Sequence, residues 1–216
     1  MDQIIAYCER TDFSYWSEPI NAVTNAGFLL AAAWVWPRTQ GLALARVMVG
    51  LLVLIGIGSF LWHTHATRWA ALADVLPILG FILLYLFAAT RDYLDTPAWA
   101  PWLAVVLFVP YAAKFNAAAG QLVPGLGANG LYLSVAVLIA GYGVYLRRSA
   151  TGRGLLIGAG LLALSLGFRM LDQPVCDSFP LGTHFLWHLL NAAMLGWMIH
   201  VYCRHMRMHE KSPGLD

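Results

Sequence analysis

Charged side chains are scarce in this chain: Asp, Glu, Lys and Arg together supply 11% of its 216 residues, where a soluble domain carries roughly a quarter. That is too few to coat a water-facing surface, and with 60% hydrophobic residues it also excludes a disordered chain. A net charge of +2 is too small for the basic footprint of a nucleic-acid-binding protein. Three cysteines cannot build a disulfide scaffold, although they leave room for one pair. The first twenty residues lack the basic start and apolar stretch of a cleavable signal, so the mature chain is expected to begin near Met1. Linkers, low-complexity tracts and fixed-period repeats are missing too, which points to one domain over residues 1–216.

What the chain has in abundance is long apolar runs, with a mean hydropathy of +0.65. About twenty apolar residues cover the thickness of a bilayer, and a helix satisfies its own backbone groups there. Seven segments qualify: Ile20 to Trp36, Ala43 to Trp62, Ala70 to Thr90, Pro101 to Phe115, Asn129 to Leu146, Leu155 to Leu171 and His184 to Cys203. The first and fourth are short, and Pro110 is expected to kink the fourth. The expected fold is all-α, a seven-transmembrane helix bundle with an outer amino-terminal segment (1–19) and a cytoplasmic tail (204–216).

Basic residues near span ends resist translocation and so set the orientation. Arg38, Arg46, Arg91, Arg147, Arg148, Arg153, Arg204, Arg207 and Lys211 fall on one side, expected to be cytoplasmic. The other side holds Arg10 among Asp2, Glu9, Asp12 and Glu18, then Arg68, and Arg169 near Asp172 and Asp177, with Lys114 near the outer end of the fourth span. The amino terminus is therefore expected outside. Short loops and the lack of targeting tails suggest a prokaryotic plasma membrane, with the site toward the periplasm or exterior.

Ionisable residues at membrane depth cost several kcal/mol unless they face a cavity, a partner or a metal. Ser59 and His63 stand one helical turn apart in GIGSFLWHTH, Asp74 follows in ALADVLPI, and His184 and His188 stand one turn apart in THFLWHLLNA. All five fall at one depth on one side. Three imidazoles from two helices give a three-ligand site with an open position, which suits zinc. Such a metal can lower the pKa of bound water from about 15.7 toward about 7. Asp74 is placed to carry a proton from that water to a leaving group. Ser59 is placed to hydrogen-bond an oxyanion. Each residue has a plainer reading. The histidines could be interfacial, Ser59 beside Gly56 and Gly58 could permit close helix packing, and Asp74 could answer its helix dipole. His65, His200, His205 and His209 lack such company and read as interfacial or tail residues.

The combination Ser-x-x-x-His, an Asp eleven residues on, and a distant His-x-x-x-His on the last of seven spans resembles the alkaline ceramidase branch of the CREST superfamily of membrane hydrolases. The likeness runs over nearly the whole chain. It implies zinc on His63, His184 and His188, Ser59 and Asp74 beside the activated water, and hydrolysis of the ceramide amide to a sphingoid base and a fatty acid. The segment YCERTDFSYWSEPINAVTN is similar to the family's stretch of Cys-Glu followed by Glu-x-x-Asn-x-x-x-Asn, here Cys8, Glu9, Glu18, Asn21 and Asn25. In the family that stretch binds calcium, which would place Glu9, Glu18 and Asp12 as oxygen ligands. Ala6 and Thr11 depart from the family pattern and thin that ligand set. The resemblance also implies a Cys8–Cys176 disulfide, leaving Cys203 as a free thiol.

The expected partner is a membrane lipid, ceramide or another N-acyl lipid, entering sideways from the bilayer between the aromatic side chains Trp62, Trp69, Phe81, Tyr85, Tyr132, Phe185 and Trp187. Three other classes compete: a non-enzymatic seven-span receptor or scaffold with structural zinc, a b-type haem protein, and a transporter with broken helices around a midplane site.

Overall fold

A computed structural model describes residues 3–123, 126–127 and 129–210 of the chain. Asp2 and Lys211, which entered the charge reading above, lie outside the described residues. Eight α-helices follow one another: α1 (Pro19–Thr24), α2 (Ala26–Val35), α3 (Ala43–His65), α4 (Arg68–Ala88), α5 (Ala100–Leu122), α6 (Asn129–Tyr145), α7 (Ala150–Val175) and α8 (His184–Glu210). A 3₁₀ turn (Trp36–Thr39) extends α2, and a π turn (Ala89–Tyr93) extends α4. Four are long and apolar enough to cross a membrane: α3, α4 with its π turn, α5 and α7; α6 is a shorter apolar helix. Large apolar side chains point outward from several helices, with Leu30, Val106 and Val109 keeping 71%, 67% and 63% of their surface exposed. A water-soluble protein does not show such a coat, whereas lipid tails satisfy it.

The elements depart from the sequence reading in four places. The first apolar segment is interrupted at Asn25, where α1 ends and α2 begins. The fourth continues to Leu122 rather than stopping at Phe115, and it passes through Pro110 without ending. The tail expected from residue 204 is helical to Glu210, and Arg207 donates from this last turn to the carbonyl of Arg38 (2.8 Å). His205, read as a tail residue without company, is buried; its ring spans Thr151 Oγ1 (2.9 Å) and the carbonyl of Asp92 (2.9 Å).

Two local devices set the geometry at the histidine end. Helix α3 stops because Ala66 takes a left-handed backbone (φ 49°, ψ 39°), its N–H bonding back to the carbonyl of Trp62. An alanine pays for that conformation, and here the turn is used. The Ala66 carbonyl accepts the N–H of Ile4 (2.7 Å), and Gln3 pairs with Thr67, so the amino-terminal segment is anchored on the α3–α4 corner. Five residues before His63, Gly58 lets the two helices touch: a methyl group there would overlap the backbone carbonyl of Ala73. The residues that follow on each helix, Ser59 and Asp74, are brought to the same cavity by that approach.

The cavity runs down the bundle from Tyr7, Ser59, Asp74, His184 and His188 to Tyr85, Ala89, Tyr142 and Met198. From Asp74 to Ala89 along α4 is about 22 Å at 1.5 Å per residue. At its far end Tyr85 belongs to a hydrogen-bonded layer. Tyr85 shares a hydroxyl bond with Tyr93 (2.8 Å) and donates to the carbonyl of Met198 (3.1 Å), and Tyr202 donates to Asp92 (2.8 Å). At the other end the Cys8–Cys176 disulfide ties the amino-terminal segment to the end of α7, across 168 residues of sequence. Cys203 is a buried free thiol. Alkylation of the denatured chain should therefore add one group before reduction and three after it; Cys8→Ser should give two without reduction, read by intact mass.

Candidate metal centre

His63 occupies the last turn of α3, while His184 opens α8 and His188 follows one turn later. Each ring is 1% exposed. Ring centroids lie 4.6 to 5.1 Å apart, and one ligand nitrogen from each lies within 4.8 Å of the others. His63 Nε2, His184 Nδ1 and His188 Nε2 are buried with no hydrogen-bond partner among the described residues. A single unsatisfied buried polar atom costs about 1–3 kcal/mol, so three at one point call for a common ligand. A metal ion fits. Neutral imidazole nitrogens are donors for it, and three ligands leave a coordination position open. The rings pack too closely for a porphyrin to lie between any two of them, which removes the haem reading.

The outer nitrogens are held, and this fixes the proton positions. His63 Nδ1 donates to Glu18 Oε2 (2.6 Å), leaving Nε2 its lone pair for a metal. The Thr24 hydroxyl spends its proton on the carbonyls of Ile20 (2.8 Å) and Asn21 (3.0 Å). Its oxygen therefore accepts from His188 Nδ1 (3.0 Å), which again frees Nε2. His184 is steadied differently: the Tyr7 ring stacks on it at 3.6 Å and 18°. Its backbone N–H bonds to Asp172 Oδ1 (2.9 Å), an oxygen that also takes the N–H of Thr183 (2.8 Å). The other Asp172 oxygen accepts the N–H of Cys8 (3.1 Å). One buried carboxylate thus caps α8 and seats the amino-terminal segment beside it.

The carboxylates assigned to calcium do not converge. Among the described residues the only such cluster of three potential ligands is the histidine trio. Glu9 accepts the backbone N–H groups of Ile20 (2.7 Å) and Asn21 (2.8 Å) at the start of α1, and exposed Asp12 bonds the N–H of Ser14 (2.8 Å). Glu18 is buried between His63 and the buried side chain of Arg10, whose Nε donates to Oε1. Burial pushes the Glu18 carboxyl upward, but the His63 and Arg10 contacts outweigh it and hold it below the usual range. The rest of the guanidinium fills its shell with the carbonyls of Asp12 (3.3 Å), Ser14 (3.2 Å) and His63 (2.7 Å). One carboxylate and three carbonyls are the oxygens a hard cation would seek, and Arg10 already takes them. Around Glu18 the positive charge is thus covalently built in, while Asn21 Oδ1 and Asn25 Oδ1 of the same stretch are buried with no hydrogen-bond partner among the described residues.

Ser59 is buried, and its hydroxyl lies beside the Asp74 carboxyl. Asp74 sits deep in the protein yet retains accessible surface, because that surface faces the cavity. So the sequence-predicted set of Ser59, His63, Asp74, His184 and His188 is gathered in one place. What residue spacing missed is the supporting shell: Tyr7, Arg10, Thr24, Asp172, and Glu18 in its role as partner of His63. None of these contacts follows a helical period; they join distant segments. His65 keeps an edge contact with Tyr15 and lies apart from the trio's bonds, as its reading implied.

No protein-family model matches the chain, and no curated protein matches its sequence.

Removing the Glu18 charge with Glu18→Gln should weaken metal binding about 10–100-fold, measured by competition with a chromophoric chelator. Arg10→Met, which strands the Glu18 carboxylate, should cost about 3–5 kcal/mol of stability. Calcium chelation should leave the thermal midpoint of the wild-type protein unchanged.

Proposed function

We propose that the chain is a seven-span membrane hydrolase with its amino terminus outside, in which zinc on His63, His184 and His188 serves the hydrolysis of an amide bond in ceramide or a related N-acyl lipid. The observation that carries this reading is that His184 and His188 of the histidine trio, the Asp74 carboxyl group and the Ser59 hydroxyl group line one largely apolar cavity, with His63 packed against the two histidines. A structural metal needs neither a proton carrier nor a substrate space. The cavity's length along α4, about 22 Å, exceeds the roughly 15 Å of one leaflet's hydrocarbon, so it offers room for an acyl tail with its head at the histidines. The resemblance to the alkaline ceramidases adds the amide as the bond to be cut.

Zinc bound there would supply Lewis acidity to the amide carbonyl and to water. The chain's own residues do the rest. Asp74 takes the proton of the attacking water as the C–O bond forms, then returns it to the amide nitrogen as the C–N bond breaks. The products are a free amine and a fatty acid. Ser59 donates its hydroxyl proton toward the carbonyl oxygen, where negative charge develops. Glu18 and Thr24 keep two of the imidazoles in the tautomer that faces the metal. The apolar walls, including Phe81, Ile82 and Leu162, hold the tail and exclude bulk water. The basic residues of the α2–α3, π-turn and α6–α7 connections would then face the cytoplasm.

The test is metal analysis of the purified protein together with product detection on N-acyl lipids in mixed micelles. Asp74→Asn should keep the metal and lose turnover by about 10²–10⁴-fold. Ser59→Ala should fold, keep the metal and be slower by about 10²-fold. Full turnover in the Asp74→Asn variant removes that residue as proton carrier. Wild-type protein that holds zinc but cleaves no N-acyl lipid would instead be a receptor or scaffold.

A further inference from the structure

Arg169 entered the sequence reading only as a charge that helped to set orientation. In the structure it lies near the end of α7 and faces the same cavity as Ser59, Asp74, His184 and His188. Its guanidinium carbon stands 5.7 Å from the ring centre of Tyr7, 5.4 Å from that of Tyr132 and 5.0 Å from that of Trp187. Nε donates to Asn129 Oδ1 (2.8 Å) and Nη1 to the Tyr7 hydroxyl (3.3 Å). Every one of these partners is neutral. Among the described residues no carboxylate comes within 4.0 Å of it, and Nη2 has no hydrogen-bond acceptor. Aromatic faces lower the cost of burying a cation, but they leave its charge in place.

This differs from the treatment of the buried Arg10, which has four oxygens, one of them from the Glu18 carboxylate, and no unmet need. Arg169 has a planar fork of donors directed at a cavity, a geometry suited to a carboxylate or phosphate. Its distance from the metal centre is short: the Tyr7 ring that it touches is the one stacked 3.6 Å from the His184 ring. An anion held by Arg169 therefore belongs to the head of the lipid, beside the scissile bond, and not to its tail. The Asp74 carboxyl lines the same cavity but is not ion-paired with Arg169, so the donor fork stays open to an anionic head.

We infer that Arg169, in its cage of Tyr7, Tyr132 and Trp187, is an anion subsite, and that the amine half of the amide lipid bound here carries an anionic oxygen group. The inference rests on the reading of the site as a lipid amidase for the word amide alone; the subsite itself follows from the donor fork that no carboxylate pairs, and among the N-acyl lipids proposed above it selects those with an anionic head over neutral ceramide. A carboxylate, as in an N-acyl amino acid, and a phosphate, as in an N-acyl amino alcohol phosphate, share the required chemistry.

The experiment measures equilibrium binding, through quenching of tryptophan fluorescence, to metal-loaded full-length Asp74→Asn protein in detergent. The probes are N-dodecanoyl glycine, N-dodecanoyl ethanolamine and N-dodecanoyl ethanolamine phosphate. The glycine or the phosphate compound should bind at least about tenfold more tightly than the neutral one, and whichever is tighter names the source of the anion. Arg169→Met in the same background should bring the anionic probes down to the neutral one, and Arg169→Lys should restore part of the difference. Metal content and neutral-probe binding should not move. Equal binding of all three probes before substitution overturns the subsite. So does an Arg169→Met variant that weakens anionic and neutral probes alike. Because binding is read without turnover, selective anion binding in a protein whose parent cleaves no amide would sink the amidase reading and leave the subsite standing.

Discussion

Three imidazole nitrogens face one another in the interior with no protein proton to share, and the rest of the histidine end is arranged so that they stay that way. Left to themselves, neutral rings at this distance would rotate to bond each other or the backbone. Glu18 and Thr24 prevent this by fixing the proton on the far nitrogen of two of them, and Tyr7 and Asp172 fix the third ring by stacking and by its backbone. A cation held by the trio would give these nitrogens the partner that the described residues do not supply. Such preorganisation raises affinity because the ordering has been completed before the ion arrives.

The amino-terminal segment does most of this work, although it has no regular structure before α1. It lies against the α3–α4 corner through Ile4, is bonded to α7 through Cys8, and reaches the trio through Tyr7 and Glu18. Arg10 is its internal fastener. A guanidinium that gathers one carboxylate and three carbonyls replaces a mobile ion with a tethered one. It therefore frees the segment from dependence on ion concentration. The same chemistry that makes the buried Arg10 a closed unit makes the part-buried, cavity-facing Arg169 conspicuous, since no carboxylate pairs with it among the described residues.

The parts that the sequence disclosed are those encoded in local periodicity. Apolar runs gave seven helical regions, and the four-residue spacings Ser59/His63 and His184/His188 placed each pair on one helical face, because a helix turns once in about 3.6 residues. Depth then put Asp74 with them. Boundaries were less legible. Nothing in the run from Ile20 announces the break at Asn25, and the polar residues after Phe115 hid seven further residues of α5. The supporting shell was out of reach for a different reason. Glu18 and His63 are 45 residues apart, Thr24 and His188 are 164 apart, and no short-range pattern pairs them. Glu18 was read as a calcium ligand, and its contacts with Arg10 and His63 went unforeseen because Arg10 looked like one more surface charge. His205 was misread likewise, its partners Thr151 and Asp92 being supplied by other elements.

The disulfide between Cys8 and Cys176 has a further bearing on how the molecule comes into being. Its two sulfurs are separated by nearly the entire polypeptide, and two of the three imidazoles arrive only with the final helix. A nascent chain stopped before Cys176 has neither the latch on its amino-terminal segment nor two of the three imidazoles. The trio that could hold an ion is therefore complete only once the last helix has been made.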